Sequence, residues 1–399
     1  MSNKVYIAGL GAISAIGMNV KENLLSLEQG RAGLGRIEYL NTRHWDDFPA
    51  GEVKASNAEL QERCGWRGTN SRTAMLGYLA AREALHDAGI DSAEWRTGLV
   101  SASSVAGMDL TENFFPAFLA NFPSGGRLRE VVQHECGTIS RVMAEALGIR
   151  DFVTTISTAC SSAANAIMLG ARLIRAGMLD VVVAGGTDAL SRFTLNGFNT
   201  LMILDHQLCQ PFDQQRRGLN LGEGAGYLVL VSEAVKEKLE RQSTITVSGY
   251  CNANDAHHQT ASSPDGAGSF LAMQGALAMS GLQPQDIQYI NLHGTGTQNN
   301  DASESTAIRR IFGDRLPRLS STKSFTGHTL AACGGIEAVY SVASILGQNL
   351  YPGLRISQPV IEDAGVMVNA FEPDRELRNV LSNSFGFGGN CSTLIFSQS

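Results

Sequence analysis

The sequence is poor in charge and in aromatic residues for its length. Charged residues make up 17% of the 399 positions and aromatic residues 7%, whereas 43% are hydrophobic. The net charge of −7 argues against a nucleic-acid partner, because phosphate backbones are bound by clustered Lys and Arg side chains. The composition predicts a globular protein that buries extensive apolar surface, part of it between subunits.

The cysteine pattern lacks the signs of a disulfide framework or a zinc site. The number of cysteines is odd, they are widely spread and no C-x-x-C occurs: Cys64, Cys136, Cys160, Cys209, Cys251, Cys333 and Cys391. This pattern predicts a reducing compartment and no bound metal.

The first apolar run, residues 5–17, follows Lys4 and could be read as a signal-peptide core. A buried first strand running into a Gly-rich turn explains the same residues and is the favoured interpretation.

Two further absences restrict the possible classes. The Gly9-Leu10-Gly11 run lacks the third glycine of a dinucleotide-binding loop, which excludes a Rossmann interpretation. No later apolar run is judged long enough to span a bilayer, so the chain is expected to be cytoplasmic and to have no membrane span.

Short apolar strands alternate with amphipathic helices, which predicts the α/β class. Residues 71–89 have helical periodicity ending at Gly89, and residues 181–186 are a β-branched run typical of a strand buried on both faces. A polar segment at 233–243 separates two halves that open alike, at 5–9 and 245–249. That likeness indicates either a duplication or simply two buried strands ending at glycine. We place the halves at 1–243 and 244–399, with no low-complexity linker between them.

Four clusters carry candidate chemistry. Cys160 lies after a predicted strand and before a helix of small residues, where the helix dipole favours a thiolate; a buried structural cysteine is the alternative. His293 leaves a buried strand into the loop H-G-T-G-T, whose glycines and hydroxyls suit an amide-bearing ligand, although a capped turn explains it equally well.

The third cluster, residues 321–328, places Lys323 five residues before His328, and the fourth, at 383–390, is the Phe- and Gly-rich segment around Phe387. A surface lysine, a core histidine and a Gly-rich hairpin are their respective alternatives.

Together and in this order, the four clusters resemble the elongating type of β-ketoacyl-acyl-carrier-protein synthase, with one Cys and two His. P-F-D at 211–213, G-E-G-A-G at 222–226, D-A-H-H at 255–258 and P-D-G at 264–266 extend the resemblance over the whole chain. It implies a thiolase fold, in which two similar βαβαβαββ halves form a five-layered α-β-α-β-α body, and a homodimer or a heterodimer with a related chain-length-factor subunit. No cofactor is implied beyond the phosphopantetheine of the acyl carrier protein.

The resemblance also implies site roles. Cys160 would be the acylated nucleophile, with its backbone N–H and that of Phe387 as the oxyanion hole, and Phe387 as a gate. His293 and His328 would stabilise the enolate formed from malonyl carrier. Lys323 would act through His328 and the acidic Asp301 and Glu304. Thr295 and Thr297 would contact the phosphopantetheine arm. A basic patch for the acidic carrier would consist of Arg67, Arg72, Arg216 and Arg217, with solvated surface arginines as the alternative.

Two departures from the family pattern concern the substrate. Residues 101–108, including Ser104 and Met108 of the expected acyl pocket, are smaller and more polar than the Gly-rich stretch with a bulky apolar residue that family members usually carry. This predicts a specialised, long or unsaturated acyl chain. The continuation Gln214-Gln215-Arg216-Arg217 is richer in amides than usual.

Two other functions are compatible with parts of the sequence, a thiolase and a non-catalytic partner subunit. The two histidines disfavour the thiolase, and the retained Cys160 disfavours the non-catalytic subunit.

Overall fold

The computed structural model describes residues 4–121, 128–241 and 243–399. The ten strands are β1 Tyr6–Ser14, β2 Thr97–Ala102, β3 Phe152–Ile156, β4 Val181–Asp188, β5 Gly224–Val231, β6 Ile245–Asn254, β7 Tyr289–Asn291, β8 Arg318–Ser320, β9 Asn379–Phe385 and β10 Asn390–Gln398. The α-helices are α1 Val20–Glu28, α2 Asn57–Cys64, α3 Arg72–Ala88, α4 Met108–Ala120, α5 Cys136–Ala146, α6 Ser162–Arg175, α7 Arg192–Thr200, α8 Glu233–Lys236, α9 Ala267–Ser280, α10 Gln298–Phe312, α11 Lys323–Thr326 and α12 Cys333–Gly347.

The strands form a sheet in the order β3-β2-β4-β5-β1-β6-β10-β9-β7-β8. The first half contributes β3-β2-β4-β5-β1 and the second β8-β7-β9-β10-β6, which is the same order with each number raised by five. In both halves the first three strands of this order run parallel and the last two pairings are antiparallel. The two similar openings noted in the sequence are β1 and β6, which occupy equivalent positions in a repeated topology.

Helices separate the two halves of the sheet and cover their outer faces. α6 packs against β4 and β10, and α12 against β5 and β9, so both helices lie between the halves. α3 covers β1 and β5 on one outer face, and α9 covers β6 and β10 on the other. The predicted five-layered α-β-α-β-α arrangement is therefore confirmed.

Local sequence explains the boundaries of the elements that position the site. The Ser71 hydroxyl accepts a hydrogen bond from the backbone N–H of Ala74 and starts α3, and Gly89 ends it with a left-handed φ of +64°. β4 is buried along its full length, as expected for a β-branched run covered on both faces. The predicted helix at 71–89 and the predicted strand at 181–186 are both confirmed.

Among the described residues one helical stretch, Leu330–Gly347, is long and apolar enough to cross a membrane, with a mean hydropathy of 1.5. The expectation that no apolar run reaches this length was wrong. However, 89% of the stretch is buried inside the protein. It contains α12, whose apolar surface is covered by both halves of the sheet, as in the core helix of a globular protein.

One outer region exposes several apolar side chains. α4 and the 3₁₀ helix at Leu128–His134 carry four that are between half and three-quarters exposed: Phe115, Leu119, Leu128 and Val132. The edge strand β3 is half-buried at each of its five residues. Large apolar patches on soluble proteins mark interaction surfaces, and an edge strand offers unpaired backbone groups.

Candidate active site

Cys160 lies in the short connection between β3 and α6, two residues before the helix begins. The preceding Ala159 has a left-handed φ of +52°, which turns the chain sharply at the thiol. Cys160 is only 6% exposed. Burial raises the pKa of its thiol to about 11, although the positive charge of Lys323 opposes this. The sequence predicts that the helix dipole and backbone N–H groups favour the thiolate. Backbone N–H groups do lower the pKa of the sulfur, but its desolvation outweighs them.

The Phe387 turn lies against the Cys160 connection. The backbone N–H groups of Phe387 and of Cys160 itself both favour the thiolate form of the sulfur. A Cβ at Gly386 would lie 2.9 Å from the carbonyl oxygen of Thr158 and 3.2 Å from the Cys160 nitrogen, so the two backbones approach as closely as glycine permits. The Phe387 ring stacks on Phe198 of α7, with the ring centroids 5.8 Å apart.

Two buried histidines face the same space. The His293 and His328 rings are 5.5 Å apart and nearly perpendicular. Burial, followed by the positive charge of Lys323, lowers the pKa of His328 to about 3 and that of His293 well below 6.5, so both imidazoles are neutral near pH 7. The Nδ1 atom of His328 accepts the backbone N–H of Leu330 at 3.0 Å. The proton of His328 is therefore on Nε2.

Lys323 fixes the other imidazole. Its ammonium donates to the backbone oxygen of His293 at 2.7 Å and lies 3.4 Å from Nδ1 of the same residue. An ammonium can only donate, so Nδ1 accepts and Nε2 of His293 also carries the proton. Both imidazoles that line the cavity therefore carry their proton on Nε2.

The carboxylate partner of Lys323 differs from the prediction. The sequence indicated Asp301 and Glu304; the ammonium forms its ion pair with Glu337 of α12, while the charge of Glu304 attracts it more weakly. Burial lowers the pKa of Lys323, and the attraction of Glu337 more than reverses this, so its pKa is raised. Burial raises the pKa of Glu337 to about 7 against the opposing charge of Lys323. Sequence reasoning missed Glu337; its one signal is a lone charge within the apolar run 334–345.

Asp301 and Glu304 act on the backbone of the His293 loop instead. The Glu304 carboxylate accepts the N–H groups of His293 and Gly294, both at 2.9 Å. Asp301 accepts the N–H of Thr295 at 3.0 Å. Burial raises the pKa of Glu304 to about 7. Both carboxylates are buried, and they hold the loop that carries the imidazole.

A cavity of about 260 Å³ connects these groups with the surface. Its lining includes Cys160, His293, His328 and Phe387, together with both threonines predicted to contact phosphopantetheine, Thr295 and Thr297. The two threonine hydroxyls lie 2.9 Å apart. Other lining residues are Phe198, Leu201, Ile203, Leu219, Asp255, His258 and Asn299. The cavity is thus apolar on the α7 side and rich in hydroxyl and amide groups on the α10 side.

Two of the four predicted carrier-patch arginines are buried, which corrects that prediction. Arg72 lies in the interior and forms an ion pair with Glu223 at 2.7 Å. Arg216 is also buried and donates to the backbone oxygens of Thr297 and Gln298. Their guanidinium groups are therefore used inside the protein, because buried charges require partners.

Arg67 and Arg217 are exposed. Arg217 forms an ion pair with Asp205 at 3.2 Å, and half of its side chain remains accessible.

Ser104 and Met108, predicted for the acyl pocket, are not among the residues that line the cavity at Cys160. The Ser104 hydroxyl donates to the buried carboxylate of Asp188 at 2.6 Å. Their role in binding the acyl chain stays a prediction. Within residues 4–121, 128–241 and 243–399, no group of three or more His, Cys, Asp or Glu side chains is arranged to hold a metal ion.

A second thiol lies beside the nucleophile connection. Cys333, the first residue of α12, donates from its sulfur to the carbonyl oxygen of Cys160 at 3.1 Å. Burial raises its pKa well above 9. Its hydrogen-bond partner is a backbone oxygen, so this thiol supports the connection and is itself protonated.

The chain matches two family models that together cover most of its length. Residues 2–235 match the beta-ketoacyl synthase N-terminal domain, and residues 244–357 match the beta-ketoacyl synthase C-terminal domain. A 3-oxoacyl-[acyl-carrier-protein] synthase 2 from Staphylococcus aureus (strain COL) is 33% identical, with 100% of this chain and 99% of the relative covered. The protein with the same name from Vibrio cholerae serotype O1 is 30% identical, with 99% of each chain covered.

Solved structures give the same result. The ishigamide ketosynthase/chain length factor superposes with a TM-score of 0.92 at 29% identity, covering 99% of each chain. The ketosynthase of Xenorhabdus doucetiae, solved in complex with its chain length factor, gives a TM-score of 0.83 at 32% identity, covering 99% of this chain and 98% of that one. The resemblance stated from the sequence is thereby confirmed: the chain belongs to the β-ketoacyl synthases, the acyl-transferring condensing enzymes of the thiolase superfamily.

Proposed function

We propose that this condensing enzyme uses Cys160 as its acyl-carrying nucleophile and His293 and His328 as paired donors to the malonyl thioester. The observation that carries the proposal is that the Cys160 thiol, flanked by two backbone N–H groups, shares a single cavity with two neutral imidazoles. Nucleophile, oxyanion donors and enolate stabilisers are the parts that decarboxylative condensation requires.

In the first half-reaction, the Cys160 sulfur attacks the carbonyl carbon of an acyl thioester. The carbonyl oxygen becomes an oxyanion that accepts the N–H groups of Cys160 and Phe387. The intermediate then expels the phosphopantetheine thiolate, which takes up the proton released by the Cys160 thiol. Because burial keeps this thiol protonated, proton loss accompanies attack rather than preceding it.

In the second half-reaction, the malonyl thioester oxygen accepts the Nε2–H groups of His293 and His328. The bond to the carboxylate breaks, carbon dioxide leaves, and its electron pair forms an enolate held by the two donors. The enolate carbon attacks the acyl group on Cys160 and expels the thiolate. One proton from solvent restores the thiol, and the β-ketoacyl product is two carbons longer than the acyl group.

The surrounding charges serve these steps indirectly. Lys323 holds His293 in the required tautomer, and its positive charge adds to the effect of burial, which lowers the pKa of both imidazoles and keeps them neutral. Asp301 and Glu304 position the backbone of the His293 loop. None of these groups transfers a proton in the proposed mechanism.

The substrate carrier is proposed to be an acyl carrier protein, and no cofactor beyond its phosphopantetheine is proposed. Thr295 and Thr297 line the cavity and can hydrogen-bond the amides of that arm. The exposed Arg67 and Arg217 remain candidates for attracting the acidic carrier to an enzyme whose own net charge is −7. A cytoplasmic location is proposed with this partner.

A second candidate is a catalytic subunit that works only with a chain-length-factor partner. One structural relative described above is a ketosynthase/chain length factor, and the other was solved in complex with its chain length factor. The exposed apolar side chains of α4 and of the following 3₁₀ helix provide a surface that such a partner, or a second copy of this chain, would cover. We propose a two-subunit assembly, acting on a specialised, long or unsaturated acyl chain bound near Ser104 and Met108.

Intact-mass spectrometry tests the proposal. The protein is incubated with a panel of acyl-carrier proteins and then with malonyl carrier. We expect a single acyl adduct that disappears when malonyl carrier is added, with release of a product two carbons longer. Cys160→Ala should form no adduct and no condensation product while retaining some decarboxylation. Cys251→Ala, which removes a half-exposed thiol outside the cavity lining, is the matched control and should behave like the wild type.

Two results would contradict the proposal. Condensation by Cys160→Ala at the wild-type rate would refute the nucleophile assignment. Absence of any adduct from the whole panel, followed by adduct formation once a chain-length-factor subunit is added, would favour the second candidate.

A further inference from the structure

Three side-chain donors converge on one amide oxygen next to the active site. The Oδ1 atom of Asn390 accepts from Ser161 Oγ at 2.6 Å, from Asn252 Nδ2 at 2.7 Å and from Asn165 Nδ2 at 2.9 Å. Asn165 also donates to the Thr158 hydroxyl at 2.8 Å. The network therefore joins β10, β6 and α6 at a single oxygen atom.

Each end of this network lies beside one of the two backbone donors that face the thiol. Asn390 closes the Phe387 turn, because its backbone oxygen accepts the N–H of Gly386 at 2.8 Å. Ser161 directly follows Cys160, and its single hydroxyl proton is shared between Asn390 Oδ1 and the backbone oxygen of Thr158, which lies 2.8 Å from the Ser161 Oγ. A shift of Asn390 relative to Ser161 would change the separation of the Phe387 and Cys160 N–H groups.

The other anchors of the Phe387 turn lie away from the Cys160 connection. The ring of Phe387 stacks on Phe198 of α7, the N–H of Gly388 donates to the backbone oxygen of Gln259 at 2.7 Å, and the N–H of Asp255 donates to the backbone oxygen of Gly389 at 2.8 Å. Gly388 and Gly389 have left-handed φ values of +81° and +80°, a conformation that glycine adopts readily. A side-chain clamp at its end is a physical means of fixing where the Phe387 N–H points.

Resting on the proposed function, we infer that Asn390 is a positioning residue that sets the spacing of the Cys160 and Phe387 N–H donors around the thioester oxygen. It acts through Ser161 and the Phe387 turn, without contact to the substrate. Donors that stabilise an oxyanion must be preorganised, and a displacement of about 1 Å can cost on the order of a hundredfold in rate.

This role has a consequence that a merely structural role would not have. Acyl transfer to Cys160 forms an oxyanion between these two N–H groups. Decarboxylation of malonyl carrier places its negative charge on the His293 and His328 side of the cavity instead. Loss of the clamp should therefore slow acylation and leave decarboxylation nearly unchanged.

The test compares Asn390→Leu, which removes the acceptor at similar size, with Asn390→Asp, which retains an oxygen acceptor. Rapid-quench intact mass measures the acylation rate with the member of the acyl-carrier panel that acylates the wild type fastest, and carbon dioxide release from malonyl carrier is measured in a Cys160→Ala background. We expect Asn390→Leu to lower the acylation rate by at least about tenfold and to change decarboxylation by less than about twofold. Asn390→Asp should recover most of the acylation rate. Asn369→Leu, at an exposed position, is the matched control.

The outcomes separate this inference from the proposed function. If the wild type is not acylated on Cys160 by any member of the carrier panel, the proposed function fails. If the wild type is acylated and Asn390→Leu is acylated equally fast, or if both activities fall together, only the positioning role is overturned. Should Asn390→Leu not fold, Ser161→Ala decides: slower acylation with unchanged decarboxylation supports the clamp, and equal acylation rejects it.

Discussion

The thiol of Cys160 is protonated in the free enzyme because its burial outweighs the nearby positive charge and the two backbone donors. Cysteine nucleophiles that rest as thiolates titrate below neutral pH and react readily with electrophiles. In the proposed mechanism, Cys160 loses its proton as it attacks a thioester carbonyl held between the two N–H groups. The rest state is correspondingly protected from adventitious oxidation and alkylation.

A pH profile of alkylation tests this state. With a pKa of about 11, the thiolate fraction of Cys160 rises about tenfold for each pH unit throughout the range from 7 to 9. The rate of carbamidomethylation by iodoacetamide, followed at Cys160 by peptide mass spectrometry, should rise in the same proportion without a plateau. A plateau below pH 8 would show that the thiolate is already the resting form.

Residue identities at the centre could be predicted from the sequence because Cys160, His293 and His328 each sit in a distinctive short motif. Properties that depend on distant chain segments could not. Glu337 pairs with Lys323 across two elements, and nothing local marks it except its apolar surroundings. The burial of Arg72 likewise depends on Glu223, 151 residues away.

Among the elements, α12 and β5 cross at a contact that only glycine permits. A Cβ at Gly335 would lie 2.3 Å from the backbone oxygen of Gly226, and one at Gly226 would lie 2.2 Å from the nitrogen of Ile336. Backbone atoms cannot yield as a flexible side chain can. The close crossing holds the start of α12, and with it the segment after His328, against the first half.

Two alanine substitutions should therefore have opposite effects. Gly335→Ala forces α12 away from β5 and should lower the free energy of unfolding by about 1–3 kcal/mol. Gly197→Ala, in the exposed part of α7 with open space around it, should raise it by about 0.5–1 kcal/mol because alanine is the better helix former. Urea denaturation followed by circular dichroism measures both. Equal stability of the two variants would contradict the proposed crossing.

Element types were predictable where periodicity and end signals agree, as in α3 and β4. The equivalence of the two halves was implied by the family resemblance, whereas the similar openings at 5–9 and 245–249 fitted either a duplication or two buried strands ending at glycine. The strand order shows that β1 and β6 are counterparts. The boundary between the halves at residue 243 stays a prediction.

At the level of the whole molecule, the exposed apolar side chains of α4 and the neighbouring 3₁₀ helix indicate a face that a second subunit covers. Leu119 is 60% exposed and Val132 is 62% exposed. Clustered apolar side chains with this much exposure mark a surface that a partner covers. The half-buried edge strand β3 gives a second reason to expect a partner. Full activity is therefore proposed to belong to a pair of subunits.

Light scattering tests the assembly. We expect the purified chain to form particles of about 85 kDa, twice the 42.5 kDa of one chain. Leu119→Glu should shift them to the mass of one chain, because a carboxylate in an apolar interface is desolvated without a partner. Leu346→Glu, at a residue that is 57% exposed at the end of α12, is the control and should leave the mass unchanged. A wild-type chain that stays single would exclude self-pairing and point to a chain-length-factor partner.

The repeated strand order has one more consequence. Cys160 precedes α6, in the connection that follows the third strand of the first half, and His328 precedes α12, in the connection that follows the third strand of the second half. The proposed nucleophile Cys160 and the proposed hydrogen-bond donor His328 thus lie at equivalent positions in the two repeated halves. Each half can therefore carry a different chemical group at this position. A substitution in one half leaves the equivalent residue of the other half unchanged, and both residues still line the same cavity.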